Sequence, residues 1–115
     1  MKKILLLAWV LAWPSSATAG FVTGFNLSKW GDAQDRIIGG RGTAVDYQDA
    51  ANLYGYVTGV HDALDGVAFC SPGTARAGQL MAVVHNYVKQ HPERWDEGAN
   101  YLVVTALKEA FPCKK

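Results

Sequence analysis

The sequence predicts an all-α fold, a small disulfide-stapled helical bundle of about four helices. Three observations carry this reading. Apolar residues recur three and four apart through three long stretches, glycine and proline clusters separate those stretches, and the two cysteines, Cys70 and Cys113, bracket the last two of them. A fourth, weaker helical pattern stands in front.

The first residues bear on compartment. Met1-Lys2-Lys3 is a short positive segment, Ile4 to Trp13 is an apolar run, and Ala17-Thr18-Ala19 is a small-x-small cleavage site before Gly20. That is the three-part pattern of a secretory signal peptide, and it falls short of the ~20 apolar residues needed to cross a bilayer. The alternative, an uncleaved anchor, is disfavoured because the run ends in Pro14 and two serines. The expectation is a signal peptide over 1–19, cleaved after Ala19, and a single helical domain over 20–115 with no membrane insertion after cleavage.

Loss of Lys2 and Lys3 leaves nine Lys and Arg against ten Asp and Glu. A near-neutral chain offers no basic footprint for nucleic acid and no polybasic patch for anionic lipid, so neither is an expected partner. An exported chain with two cysteines favours one disulfide, Cys70 to Cys113, over two free thiols or a metal site, which needs more ligands at short spacing.

In chain order, Asn26 is placed to cap a short helix through about Arg36, with Leu27, Trp30 and Ala33 on one face. Ile37 to Thr43 carries three glycines and reads as a loop. Arg36-Ile37-Ile38-Gly39-Gly40 resembles the activation site of trypsin-like proteases, but the remaining chain is far too short and holds no serine in the required glycine-rich context. Nor do these glycines end in the G-K-[ST] of a phosphate loop.

Asp46 is the expected cap of a long helix to about Leu64, with Ala50, Leu53, Tyr54, Val57, Val60, His61 and Leu64 on its inner face. Gly55 and Gly59 inside it each cost about 1 kcal/mol relative to alanine. Close approach of a neighbouring helix is the expected reason, and a ligand contact the alternative. Pro72-Gly73 then turns the chain and Thr74 is the expected cap of a third helix, whose face is Ala77, Leu80, Val83, Val84, Tyr87 and Val88, with His85 elsewhere. His91-Pro92-Glu93 ends that helix and starts the last, expected from Pro92 to about Phe111. Trp95, Ala99, Leu102, Val103, Ala106, Leu107 and Ala110 form its core stripe. Tyr101 and Val104 lie on another side, covered either within the monomer or in a homodimer.

Catalytic material is thin. His61, His85 and His91 fall on different elements or faces with no metal-ligand spacing, so no metal and no cofactor is expected. His61 beside Asp62 is the one local pair of interest, and a half-buried hydrogen-bonded histidine is the favoured reading. Oxidised cysteines supply no nucleophile. No catalytic residue is assigned and the chain reads as a non-enzyme; the partner-binding residues are not marked by any motif.

Four segments together carry a resemblance: Gly55-Tyr56-Val57-Thr58-Gly59-Val60-His61-Asp62-Ala63-Leu64, Phe69-Cys70-x-Pro72, the run from Gln79 and Leu80 to His91-Pro92-Glu93, and Ala99 to Phe111-Pro112-Cys113. In this combination the chain resembles the Rap/Tai immunity proteins. The resemblance implies a periplasmic homodimer that binds and occludes a peptidoglycan amidase effector of type VI secretion. Members of that family often carry a second cysteine pair, and the corresponding positions here hold Trp30 and Leu53, for which mutual packing is expected instead. A periplasmic acid-stress chaperone, also small, helical and disulfide-bonded, is the alternative function, with ten carboxylates and three histidines to release a dimer in acid. An enzyme or small-ligand binder would need Gly55, Gly59, His61 and Asp62 around one open pocket.

Overall fold

The computed structural model describes residues 20–114. The expected signal peptide lies outside the described residues. Four helices follow in order, α1 (Gly24–Ile38), α2 (Ala44–Leu64), α3 (Ala77–Gln90) and α4 (Ala99–Ala110), with a single 3₁₀ turn, Pro92–Arg94, before the last. None is long and apolar enough to cross a membrane. The all-α expectation holds among the described residues, where the only β-type pairings are two isolated bridges.

The predicted stripes meet in one core. Leu27 of α1, Leu53 and Val57 of α2, Val84 and Val88 of α3, and Leu102, Val103 and Leu107 of α4 are all buried in a single cluster, with Phe69 from the α2–α3 connection plugged into it. α1 packs chiefly on α2, and α3 on α4 and α2. Trp30 packs against the cluster that contains Leu53, and its ring lies 6.4 Å from that of Tyr56. Tyr54, expected on the inner face of α2, is exposed instead. Cys70 and Cys113 are joined by a disulfide with Cα atoms 4.8 Å apart, and the Cys70 N–H donates to the Phe111 carbonyl at 2.8 Å. The α2–α3 connection is thereby tied to the chain end.

Helix starts differ from the sequence expectation in a consistent way. α1 is capped by Thr23, not Asn26, and α2 by Thr43, not Asp46; Asn26 and Asp46 are the third residues of capping boxes and reach back to the cap N–H. α3 begins after Arg76 rather than Thr74, because Ala75 N–H closes a turn onto the Pro72 carbonyl with Thr74 inside it.

The last helix does not start at Pro92. The 3₁₀ turn stops at Arg94, the chain bends through Gly98, and α4 begins at Ala99. The bend serves α1: the Glu97 carbonyl accepts from Gly24 N–H and the Trp95 carbonyl from Phe25 N–H, both at 3.0 Å, satisfying donors that open a helix with no partner of their own. Gly24 must be glycine for this contact, since a β-carbon there would lie 2.6 Å from the Cα of Trp95. Ala110, expected in the core stripe, is exposed, because the helix ends with it.

Candidate partner-binding site

Gly55 and Gly59 do not receive a neighbouring helix. Among the described residues a β-carbon built on either meets nothing within 4 Å, which corrects the packing expectation. Instead the two glycines and Ala63 line one wall of an open trough of about 640 Å³ between α2 and α4, and Asn100, Tyr101 and Val104 line the other. Tyr101 is 61% exposed and Val104 half-buried, so the described residues leave the second apolar strip of α4 partly open. Tyr56 also borders the trough, and partial burial pushes its phenol pKa up. His61 and Asp62 do not border it, so the four residues of the small-ligand reading do not converge on one pocket.

His61 works elsewhere. Its Nε2 lies 2.8 Å from Ser71 Oγ and its Nδ1 3.1 Å from Asp62 Oδ1, which is the contact order of a serine nucleophile, its base and the orienting carboxylate. The surroundings do not match that chemistry. Asp65 Oδ1 accepts from both the Ser71 N–H, at 2.9 Å, and the Ser71 hydroxyl, at 3.0 Å, and the next residue, Pro72, has no N–H. A carboxylate therefore occupies the place where an acyl-transfer site needs oxyanion donors. The Ser71 hydrogen bonds hold the Asp65 pKa below its usual value. The cluster closes the turn from α2 to Cys70, with His61 stacked on the core residue Phe69 at 5.8 Å. Ser71 carries no sequence signal, because only loop closure brings it to His61.

His85, expected off the apolar face, is buried. Its Nε2 lies 2.9 Å from Asp35 Oδ2 and 3.9 Å from Asp32 Oδ1. These three residues place ligand atoms within 4.8 Å of one another, so a divalent ion is the obvious question. The imidazole answers against it. Metal at Nε2 would move the ring proton to Nδ1, and that atom is buried with no hydrogen-bond partner among the described residues, whereas a ligating histidine ordinarily donates its second N–H to an acceptor. With the proton on Nε2, His85 instead donates to Asp35 and clamps α3 to α1.

The α1–α2 turn has a braced base and an apolar tip. Arg36 grips Asp46 with two contacts, Nη2 to Oδ1 at 2.8 Å and Nε to Oδ2 at 3.2 Å, and the Thr43 N–H donates to the same carboxylate. Arg36, and then Thr43, hold the Asp46 pKa down to about 2. Beyond this base the chain turns through Gly40, whose φ of 74° suits glycine, and Ile38, Val45 and Tyr47 stand exposed. In the sequence Asp46 reads only as a cap. Arg36 lies outside its helix, and the pairing depends on the turn between them.

Among these clusters, only the α1–α2 tip and the α2–α4 trough present apolar surface to solvent without a partner in the described chain, and both suit recognition of another protein. Comparison with curated proteins and with solved structures gives no match. The family model described as "Rap1a immunity proteins" matches residues 23–113, spanning all four helices and both cysteines, and the chain belongs to that family of immunity proteins.

Proposed function

We propose that this protein is a periplasmic immunity protein that binds and occludes a peptidoglycan amidase delivered by type VI secretion, as a homodimer and without catalysis of its own. The family match over residues 23–113 carries the reading, and membership implies a partner effector protein. The amidase as target and the periplasm as compartment rest on the motif resemblance and the signal-like segment at 1–19. For the occluding element we assign the α1–α2 tip. Its exposed Ile38, Val45 and Tyr47 stand on a base fixed by the Arg36–Asp46 pair, so little conformational freedom is lost when the tip enters a cleft.

The chaperone reading is weaker on one specific ground. Among the described residues no carboxylate or histidine lines the open apolar trough between α2 and α4, so acid has no group there through which to expose a client surface.

The test is co-expression in the periplasm with an amidase encoded beside this gene. The expected result is rescue of growth and co-purification of the two proteins, with Ile38→Asp and Val45→Asp weakening both. Neither binding nor rescue by the unaltered protein would overturn the assignment for that partner.

A further inference from the structure

We infer that the small recess between α1, α2 and α3, beside the α1–α2 tip, receives a lysine side chain of the effector that the tip occludes. The inference rests on the proposed function for its partner; the chemistry of the recess selects the side chain.

The recess encloses about 110 Å³. That is well under the roughly 300–1,000 Å³ of a site for a small molecule or cofactor, and it suits the end of one side chain. Its floor is apolar, since Leu53 of α2 and Met81 of α3 line it and are buried. Gly78 leaves the α3 wall bare; among the described residues a β-carbon there meets nothing within 4 Å. Ile38, 75% exposed, lines the recess and also belongs to the tip. A partner surface that covers the tip therefore passes directly over the recess.

Charge and donor count choose the occupant. Asp35 lines the recess with its side chain 52% exposed, and Asp32 stands nearly one turn earlier on α1. Among the described residues neither pairs with a lysine or arginine, and Arg36 is already held by Asp46. Their negative charge is complemented by a cationic side chain from outside. His85 donates to Asp35 Oδ2 at 2.9 Å, which leaves Oδ1 without a partner among the described residues. The side-chain amides of Gln34 and Asn86 also line the recess and are equally unspent there. One carboxylate oxygen and two amide oxygens match the three donors of an ammonium group. A guanidinium instead wants both oxygens of one carboxylate for its planar fork, and His85 holds one of them. The lysine stem lies along Ile38 and Met81 while its ammonium reaches the polar groups.

Binding of the exported chain to the amidase encoded beside its gene tests this, by calorimetry at low and high salt. The expected result is that Asp35→Asn weakens the complex about tenfold and lessens its sensitivity to salt. The asparagine oxygen still accepts from His85, so the clamp between α3 and α1 is kept. Gly78→Leu fills the recess without touching its charge and should weaken binding to a similar degree. It occupies open space, so it should melt no lower than the parent, and loss of binding cannot be ascribed to misfolding. Zero-length carbodiimide coupling should join Asp35 or Asp32 to one lysine of the amidase. Replacing that lysine by methionine should cost as much as Asp35→Asn, and the two changes together little more than either. Unchanged affinity in either variant, or coupling only to carboxylates elsewhere, overturns the inference. The proposed function would then stand on Ile38→Asp and Val45→Asp alone. A parent chain that binds no amidase removes that function, and the recess falls with it.

Discussion

A β-carbon on Gly31 would lie 2.0 Å from Nδ1 of His85, so α1 and α3 meet where one helix lacks a side chain and the other buries an imidazole. The ring is pressed against the α1 backbone with its Nε2 turned toward Asp35. Gly31→Ala should therefore destabilise the fold by about 1–3 kcal/mol, the usual range for overpacking, although alanine is the better helix former. Chemical denaturation measures this. An unchanged or raised midpoint would show that the ring can move away at no cost. The double variant Gly31→Ala with His85→Ala should recover part of the loss, since removing the ring makes room for the methyl group.

This contact also marks how far the sequence can be read. Helix existence and inner faces depend on residues three and four apart, so Leu27, Leu53, Val84, Leu102, Val103 and Leu107, all buried, declare themselves locally. Cap positions are less legible, because in Thr23-x-x-Asn26 and Thr43-x-x-Asp46 both ends of each box are good capping residues. The burial of His85 depends on Gly31, a residue on another helix, and no spacing along α3 reveals it. The trough is hidden for a similar reason: Gly55 and Gly59 look the same in sequence whether a helix presses on them or nothing does.

Asp46 sets the acid response of the α1–α2 turn. Arg36 and the Thr43 N–H favour its charged form, and its folded pKa of about 2 lies below the ordinary 3.8. A depressed carboxylate pKa contributes stability that is fully present above the unfolded value and lost as pH falls through the folded one. The stability gap between the parent and Asp46→Asn should therefore be constant above about pH 5 and close between about pH 4 and pH 2. Denaturation series at several pH values read this gap. A gap that persists unchanged to pH 2 would mean that the carboxylate is not held by Arg36 in solution.

The Cys70–Cys113 bridge closes a loop with a sequence separation of 43. In the chain-entropy model such a closure stabilises by about 4 kcal/mol, a large share of what a domain of this size possesses. Cys70→Ser with Cys113→Ser should lower the denaturation midpoint accordingly, and the first segment to exchange its amide hydrogens should be the end of α4, where the Cys70 N–H holds the Phe111 carbonyl. A double variant as stable as the parent would show that the packing of Phe69 alone anchors the α2–α3 connection.

Arg94 organises the bend before α4. Its Nε and Nη2 donate to the two Glu97 carboxylate oxygens at 2.6 and 3.0 Å, and Nη1 donates to the Tyr87 hydroxyl, with the guanidinium 5.8 Å above the Tyr87 ring. The pairing holds the Glu97 pKa below its ordinary value. The same bend presents the Trp95 and Glu97 carbonyls to the first N–H groups of α1, so loss of Arg94 is felt at the far end of another helix. Arg94→Ala should cost about 1–3 kcal/mol, with faster amide exchange at Gly24 and Phe25 as the local signature. Arg94→Lys keeps the charge but not the planar fork, and cannot reach both Glu97 oxygens and Tyr87 at once. It should therefore recover little of the loss. Full rescue by lysine would reduce the role of Arg94 to simple charge pairing and leave the bend to be held by the backbone alone.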